Sequence, residues 1–478
     1  MSTPVLAARV SRDLKAGRVR RLAPALYTTN VIEPAESLVR RLLWPIASLV
    51  FPGAVIADRT ALEAGPSREG VVFLAADVTR DVALPGAIIR ARKGAFELPG
   101  DTSFFGLHMA SRPRAYLENM RPTRARSGIA RTLTRRELEE RLERDLRDRG
   151  EAYVLRIRDD ARALAPALDL EKEFRELDAW IGTLLGTRDA RLHTPAGAAR
   201  AAGGAYDARR LELFVALHAA LLALLPAPRP DPERASRERY LPFFEAYFSN
   251  FIEGTEFEVA EAAAIVFESR IPKDRPEDAH DVLGTYRVVS DPVEMARTPS
   301  SASELFDLLR SRHARVMEGR PDKSPGAFKT MQNRAGDTVF VQPDLVESTL
   351  ARGLELHRAL PDGLARAVFM MFLVSEVHPF VDGNGRVARI MMNAELVSAG
   401  ERRIIVPTIS RSSYLSGLKA LRQTSVTKTL IRVLDFLQRY TLAIDFTTYE
   451  GAWAQLDESN AFRDAQQADS EGIRLTLP

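Results

Sequence analysis

The sequence predicts a mainly α-helical protein, in which a helical domain with a β-hairpin follows a small mixed α/β domain and a helical connecting region. Apolar runs of helical length, such as 367–377, recur through the second half of the chain. Short strand-like segments with Pro-Gly turns are confined to the first 110 residues. A proline-rich stretch separates the two helical parts. We therefore predict domains at 1–110, 111–236 and 237–449, followed by a polar tail at 450–478.

The N-terminal 110 residues alternate between helical and strand-like patterns. In chain order we predict a helix at Val5–Lys15, a small hairpin within Arg18–Thr28, a helical run at Ala35–Val50, and strands at Gly70–Ala75 and Ala87–Ala91. Basic side chains exceed acidic ones over the first 150 residues, although the whole chain has a net charge of only +3. This asymmetry favours an anionic partner for the N-terminal part, or an arginine-rich surface without a specific partner.

The connecting region and the tail are read from helix signals and helix breakers. Thr134 followed by Glu137 predicts a capping box for a charged helix at Arg135–Arg149. Four prolines within Pro226–Ser236 cannot continue a helix, so this segment is the predicted linker. The residues from Gly451 onward are polar, and we expect them to be loosely held.

Composition excludes several classes of protein. The chain of 478 residues has no Cys, which rules out disulfides and thiolate metal sites and favours a reducing, cytoplasmic compartment. The N-terminus lacks an apolar core with a cleavage site, so no signal peptide is expected. The most apolar stretches, 211–226 and 367–377, are shorter than the roughly 20 residues of a membrane span. We therefore predict no membrane association.

One loop between two apolar helices, 365–377 and 387–398, carries the chemistry. Its residues are His378, Pro379, Phe380, Val381, Asp382, Gly383, Asn384, Gly385 and Arg386, with Arg389 one turn further on. The glycines allow the backbone to approach an anion closely, and the start of the following helix adds unpaired N–H donors. The two arginines share one helical face, Asp382 offers a hard ligand for Mg²⁺, and His378 offers a base.

The segment HPFVDGNGRVAR resembles the signature of the Fic family, HPFx(D/E)GNGRxxR, at every specified position. The resemblance covers about 237–449 and implies a helical fold that transfers AMP from ATP to a Ser, Thr or Tyr hydroxyl of a protein. It implies that His378 deprotonates this hydroxyl and that Asp382 holds Mg²⁺. Gly383, Asn384, Gly385 and Arg386 would bind the α- and β-phosphates, and Arg389 the γ-phosphate. A Fic enzyme with another donor, such as UTP or a CDP-linked group, stays open.

Two further segments fit this family. The predicted hairpin Phe328–Val341, with Ala335, Gly336 and Asp337 at its turn, resembles the flap that pairs with the target backbone. Gly385 favours nucleotidyl transfer over the phosphate transfer of related loops with Lys at this position. Tyr414, Leu418 and Leu421 have helical spacing, and they either line the nucleotide base or belong to the core.

An upstream segment resembles the inhibitory motif (S/T)xxxE(G/N) of the same family. It comprises Ser249, Glu253 and Gly254, within EAYFSNFIEGTEF, which we predict as an amphipathic helix ending near Gly254. A Glu paired with Arg389 would occupy the guanidinium that must receive the γ-phosphate. The resemblance therefore implies autoinhibition. In some Fic enzymes the equivalent Glu also helps to remove AMP, and that reversal stays open.

The N-terminal segments RVRRLAPALYT and PGAVIADRTAL resemble antitoxin-like winged-helix regulators of abortive-infection systems. Only about fifteen residues precede the hairpin, so the first helices of a winged helix are missing. Arg18, Arg20 and Arg21 could touch phosphates but would read bases poorly. We therefore favour a domain that binds targets or supports a homodimer. A DNA-binding regulator, or a toxin–antitoxin-type protein whose Fic core is a sensor, is the alternative, and self-modification also stays open.

Overall fold

The computed structural model describes residues 4–125, 128–188, 190, 192–201, 204–224, 228–336 and 338–477. It divides into two compact units, Met1–Gly204 and Ala205–Pro478. The predicted boundaries after residues 110 and 236 fall inside these units rather than between them. The described residues include no helix that is both long enough and apolar enough to cross a bilayer.

The N-terminal unit combines helices with short strands, in agreement with the predicted mixed character. Its helices are α1 (Pro4–Lys15), α2 (Ala35–Arg41), α3 (Leu43–Val50), α4 (Asp58–Glu63), α5 (Arg112–Met120), α6 (Arg135–Arg149), α7 (Glu151–Leu168), α8 (Glu171–Leu184) and α9 (Pro195–Ala201). Its strands are β1 (Arg20–Ala23), β2 (Leu26–Thr28), β3 (Val55–Ile56), β4 (Val71–Ala76), β5 (Arg80–Leu84), β6 (Ala87–Lys93), β7 (Thr102–Phe104) and β8 (Leu107–Met109).

A mixed sheet with the order β5-β6-β4-β3-β8-β7 forms one layer of this unit. The strand β4 is parallel to β6, with Val71 opposite Ile88, and antiparallel to β3. The strands β1 and β2 form the predicted separate hairpin. The helical run predicted at Ala35–Val50 is two helices, because the backbone of Leu42 leaves helical geometry at ψ 19°. The strands β3, β5, β7 and β8 are not predicted, because they are too short or too exposed to show alternation.

Helices α5–α8 pack onto this sheet, and for this reason the unit extends beyond residue 110. Their buried side chains share one core with Val55 and Ala75 of the sheet. The capping box predicted at the start of α6 is confirmed: the backbone N–H of Glu137 donates to the Thr134 hydroxyl, and the Glu137 carboxylate accepts from the backbone N–H of Thr134. Together these two bonds satisfy donors that helix formation leaves unpaired.

The C-terminal unit is mainly helical, in agreement with the predicted fold class. Its helices are α10 (Ala208–Leu224), α11 (Arg234–Arg237), α12 (Leu241–Ile252), α13 (Val259–Glu268), α14 (Pro276–Val289), α15 (Pro292–Met295), α16 (Ala302–Val316), α17 (Val346–Arg358), α18 (Leu364–Val377), α19 (Asn384–Ser398), α20 (Arg411–Thr424), α21 (Lys428–Ala443), α22 (Tyr449–Glu458) and α23 (Ala465–Glu471). Its short strands are β9 (Arg334–Ala335) and β10 (Thr338–Val339).

Helices α18 and α19 form the centre of this unit. Nearly every side chain of α18 is buried, and α10, α16, α17, α20 and α21 contribute to the same core. A helix that is apolar on all sides must be surrounded by other helices, as α18 is. The loop between α18 and α19 is thereby held at the end of two rigid elements.

The helix α12 is buried on all sides, whereas the sequence analysis predicts an amphipathic helix. Residues 243–250 are all buried, and their aromatic rings pack against the C-terminal segment. Phe244 stacks on Tyr449 at 5.8 Å between ring centroids, and Phe248 stacks on Phe462 at 5.4 Å. The expectation of a loosely held tail is wrong for this segment, because α22 and α23 bury Leu456 and Ala468.

The predicted linker is also packed over its described part. Arg229 pairs with Asp435 at 2.6 Å, and the buried Asp231 pairs with Arg402 at 2.6 Å. Pro230 forms an isolated β-bridge with Glu401. Prolines prevent a helix here, as predicted, but they do not prevent an extended chain from docking through ion pairs.

Candidate active site

The loop begins and ends in left-handed backbone geometry. The helix α18 ends at Val377, and the next residue, His378, has φ 54°. The helix α19 begins at Asn384, directly after Gly383, which has φ 71°. The Asn384 side chain closes the loop: its Oδ1 accepts from the backbone N–H of Phe380 at 2.8 Å, and its Nδ2 donates to the Phe380 carbonyl at 2.9 Å. Because its side chain is used inside the loop, Asn384 has only its backbone N–H left to offer a phosphate.

His313, which lies on α16, supports the loop, and no sequence motif indicates it. Its ring stacks on Phe380 with 3.7 Å between centroids and 2° between planes. Its Nδ1 accepts from the backbone N–H of Gly326 at 2.9 Å, so its Nε2–H is the donor to the Asp382 carbonyl at 3.1 Å. Burial lowers the pKa of His313 to about 4, which keeps this ring neutral and this tautomer in place.

His378 lies at the end of α18 with one nitrogen engaged. Its Nδ1–H donates to the Ser375 carbonyl at 3.3 Å, which leaves Nε2 as the unprotonated nitrogen. Its ring stacks on Phe340 with 3.8 Å between centroids. Burial lowers the pKa of His378 to about 4, so the imidazole is neutral near pH 7. A neutral imidazole can accept a proton, as a general base must.

Arg386 is held by an acidic residue that the sequence analysis does not predict. Its Nη1 lies 2.7 Å from Oδ2 of Asp281 on α14, and both side chains are almost fully buried. Arg320 pairs with the same carboxylate oxygen at 2.8 Å. Nη1 also lies 3.4 Å from Oδ1 of Asn250 on α12. The guanidinium is therefore fixed in position at the start of α19.

Ser249 lies in the last turn of α12, and Glu253 and Gly254 follow the end of this helix. Ser249 and Glu253 both contact Arg389. The Arg389 Nη2 donates to Oε1 of Glu253 at 2.7 Å and to the Ser249 carbonyl at 2.8 Å. Its Nε donates to the Ser249 hydroxyl at 3.0 Å. Gly254 follows Glu253 with φ 90°, a conformation that suits glycine.

Glu253 also lies directly over Gly385. A Cβ placed at Gly385 would overlap Oε1 of Glu253, and it would come within 3.1 Å of Nη1 of Arg389. The carboxylate thus fills the space above the first turn of α19, where unpaired N–H groups and the positive end of the helix dipole favour an anion. The arrangement brings together the predicted residues Glu253, Gly385 and Arg389.

The hairpin is attached to the loop by Lys329 and Asn333, which no sequence motif indicates. The backbone N–H of Lys329 donates to the Pro379 carbonyl at 2.8 Å, and Nδ2 of Asn333 donates to the Phe380 carbonyl at 2.8 Å. The buried Lys329 ammonium donates to Oδ1 of Asn333 at 2.7 Å. Burial lowers the pKa of Lys329 to about 7. The predicted turn residue Asp337 lies outside the described residues.

A cleft of about 530 Å³ lies beside His378. It is lined by the residues Glu253, Ala335, Gly336, Thr338, Phe340, Ser375, His378, Gly385, Arg389, Tyr414, Leu415, Leu418, Lys419, Arg422 and Gln423. Tyr414 and Leu418 thus both line the cleft and belong to the core, whereas Leu421 is buried in the core. The volume is that of a site for a small molecule.

Asp382 suits a divalent cation that is shared with a ligand. Its Oδ1 accepts from the backbone N–H of Gly383 at 2.6 Å, and its side chain remains 44% exposed. The described residues contain no group of three or more His, Cys, Asp or Glu side chains that could enclose a metal. One exposed carboxylate fits Mg²⁺, which usually binds through one or two carboxylates, substrate phosphates and water.

The C-terminal unit is thus a helical domain in which a loop with two glycines joins the buried helices α18 and α19 beside a neutral histidine. A sequence profile described as the Fic/DOC family matches residues 305–396, which include the loop. This part of the chain is therefore similar to the Fic/DOC family.

Two curated relatives illustrate the similarity. The chain is 28% identical over 225 residues to the protein adenylyltransferase Fic of Drosophila erecta. These aligned residues make up 46% of this chain and 44% of the relative. The corresponding protein of Drosophila melanogaster is also 28% identical, over 45% of its length. The matched region thus spans less than half of these relatives. A solved structure of Fic-1 from C. elegans covers 64% of this chain and 86% of its own, at 17% identity and a TM-score of 0.36.

Proposed function

We propose that this protein is an autoinhibited adenylyltransferase that moves AMP from ATP onto a Ser, Thr or Tyr hydroxyl of a target protein or of itself. One juxtaposition carries the proposal: a neutral His378 and the phosphate-binding start of α19 line the same cleft. The similarity to relatives named protein adenylyltransferase supports the choice of reaction and of ATP as the donor.

The residues divide the reaction between them. The target hydroxyl oxygen attacks the α-phosphorus, the bond to the β-phosphate oxygen breaks, and pyrophosphate leaves. The hydroxyl proton passes to Nε2 of His378. Nε2 can accept it because the ring proton of the neutral imidazole is on Nδ1, which donates to the Ser375 carbonyl. Arg386 and the backbone N–H groups of Asn384 and Gly385 bind the α- and β-phosphates. The N–H of Gly383 joins them once Asp382, which accepts from it in this structure, turns towards the metal ion. Asp382 would hold Mg²⁺, which would neutralise charge on the phosphates.

Arg389 is the proposed partner of the γ-phosphate, and Glu253 competes with it. The carboxylate occupies the guanidinium and the space over Gly385. Its negative charge also repels a phosphate at this place. ATP can then bind only with its α-phosphate out of line for attack. Removal of AMP by water, assisted by Glu253, is a compatible second activity of the same site.

Intact mass spectrometry tests the proposed reaction and its donor. The protein is incubated with Mg²⁺ and each of ATP, GTP, CTP and UTP in turn, as wild type and as Glu253→Gly. A mass increase of one AMP, which is absent in Glu253→Gly with His378→Ala, is the expected result. No increase with any nucleotide, together with no transfer of α-labelled AMP to proteins of a cell extract, would overturn the proposal.

For the N-terminal unit we infer target binding or support of a homodimer rather than DNA binding. Arg18 is paired with Asp13 at 2.6 Å, and Arg20 donates to the carbonyls of Asn30 and Glu33. These two arginines are therefore less available to phosphates than the sequence suggests. Electrophoretic shifts at physiological salt test this inference, and tight sequence-specific binding of duplex DNA would overturn it.

A further inference from the structure

Phe340 lies flat against the imidazole of His378. The two ring centroids are 3.8 Å apart and the planes differ by 7°. Phe340 directly follows β10 and is buried, so its ring is the contact between the hairpin and the His378 imidazole. The hydrogen bond from Nδ1–H of His378 to Ser375 is long, at 3.3 Å, and such a bond orients a ring weakly. The stacked ring is thus a second constraint on the imidazole.

A buried ion cluster holds Phe340 in this position. Glu376 on α18 is fully buried and pairs with Arg422 on α20 at 2.6 Å and with Arg210 on α10 at 3.0 Å. The Arg422 guanidinium lies 5.3 Å from the Phe340 ring centroid, within the range of a cation–π contact. Arg210 donates from Nη2 to the carbonyl of Val339, the neighbour of Phe340, at 2.7 Å. Three helices therefore fix the hairpin strand at this residue.

We propose that Phe340 is a positioning residue for the base: its ring, fixed by the Arg210–Glu376–Arg422 cluster, keeps the His378 imidazole oriented with Nε2 towards the incoming hydroxyl. The inference rests on the proposed function of His378. The ring also excludes water from one face of the imidazole, which lies near the charged groups Lys329, Glu253 and Arg422. A purely structural Phe340 would support the hairpin without affecting the imidazole.

Histidine-selective NMR measures the imidazole without requiring any activity. We would record the histidine ring signals of the full-length protein during a pH titration. The signal of His378 is the one that is absent from the spectrum of His378→Ala. In Phe340→Leu the side chain is smaller and cannot cover the whole face of the imidazole, so water should reach this face and the pKa of His378 should rise from about 4 towards the ordinary value of about 6.5. Phe340→Tyr keeps the stack and should restore the titration of the wild type.

Kinetics in the Glu253→Gly background supply the second readout. Phe340→Leu should lower kcat by about ten- to a hundredfold with little change in KM for ATP, because misplacing a reacting group by about 1 Å has this effect. Phe340→Tyr should recover most of the rate. The matched control is Phe328→Leu, in the same hairpin but 5.3 Å from Phe380 rather than against His378. It should leave the titration of His378 unchanged.

The outcomes separate this inference from the proposed function. An unchanged titration of His378 in folded Phe340→Leu would overturn the positioning role, whether or not the protein transfers AMP. A raised pKa with a lower kcat in Phe340→Leu, both restored in Phe340→Tyr, would establish it. If no variant transfers a nucleotide, the proposed reaction fails, while the titration still decides whether Phe340 controls the imidazole.

Discussion

Two buried arginines one turn apart on α19 form ion pairs of equal length, but their carboxylate partners differ in burial and in position. Arg386 meets Asp281 at 2.7 Å, and Arg389 meets Glu253 at 2.7 Å. The carboxylate of Asp281 is 1% exposed and is shared with Arg320, whereas that of Glu253 is 30% exposed. Asp281 lies within α14, but Glu253 lies at the end of α12, beside a glycine. Equal distances therefore do not indicate equal roles.

The comparison indicates that the first pair is structural and the second can be exchanged for a ligand. Removing one member of a buried pair leaves an uncompensated charge, which is strongly destabilising. A partly exposed carboxylate at a helix end can move aside, and another anion can take its place. In the proposed function both arginines bind phosphates, so neither pair supplies the proton transfer.

His378→Ala should therefore have the largest effect on the rate while both ion pairs persist. Loss of a general base lowers transfer by about 10²–10⁴-fold. Binding of ATP should remain close to that of the wild type, because the imidazole acts on the hydroxyl and not on the phosphates. Transfer of α-labelled AMP and calorimetric titration with ATP–Mg²⁺ would measure the two effects. An unchanged transfer rate would show that His378 is not the base.

Asp281→Asn should break the structural pair. We expect the free energy of unfolding to fall by about 3–5 kcal/mol, because Arg386 then remains buried without its nearest counter-charge, the only fully buried one among the described residues, and keeps only the partly exposed Asp382 at 3.7 Å. The matched control is Asp278→Asn on the same helix, where the side chain is 29% exposed and the loss should be about 0–1 kcal/mol. Urea denaturation would measure both. Equal effects of the two variants would contradict the structural role of Asp281.

Glu253→Gly should break the exchangeable pair and increase transfer. The lost charge-assisted hydrogen bond contributes about 1.5–3 kcal/mol, so the competent population should rise about ten- to a hundredfold. Glu256→Gly, which removes another exposed carboxylate nearby, is the matched control and should leave the rate unchanged. The rate of AMP labelling would be measured after circular dichroism confirms the fold. A rate of AMP labelling in Glu253→Gly that equals that of the wild type or is lower would contradict autoinhibition by Glu253.

Two neutral, buried histidines should make the stability of the protein depend on pH. His313 and His378 both have a pKa of about 4 in the folded protein, below the ordinary value of 6.5. Between these values the unfolded chain binds more protons, so the free energy of unfolding should fall as the pH drops from about 6.5 towards 4. Urea denaturation at several pH values would show this slope. His313→Asn should reduce the slope, and an unchanged slope would contradict the burial of a neutral His313.

The sequence predicts the loop better than its surroundings. The loop residues are contiguous, and their types alone indicate backbone N–H groups, a base and phosphate-binding arginines. Asp281, His313 and Phe340 come from distant parts of the chain, and no local pattern distinguishes them from other buried side chains. The burial of α12 and of the segment after Gly451 could not be predicted for a similar reason. Aromatic residues in each segment cover the other, and only the tertiary fold brings them together.

A comparison of ATP and ADP binding tests most directly the claim that Glu253 and the γ-phosphate compete for Arg389. Calorimetry would measure both affinities in the presence of Mg²⁺ for the wild type, Glu253→Gly, and Glu253→Gly with Arg389→Ala. We predict that ATP and ADP bind equally to the wild type, that ATP binds more tightly than ADP to Glu253→Gly, and that the added Arg389→Ala abolishes this difference. A wild type that already prefers ATP as strongly as Glu253→Gly does would contradict the claim.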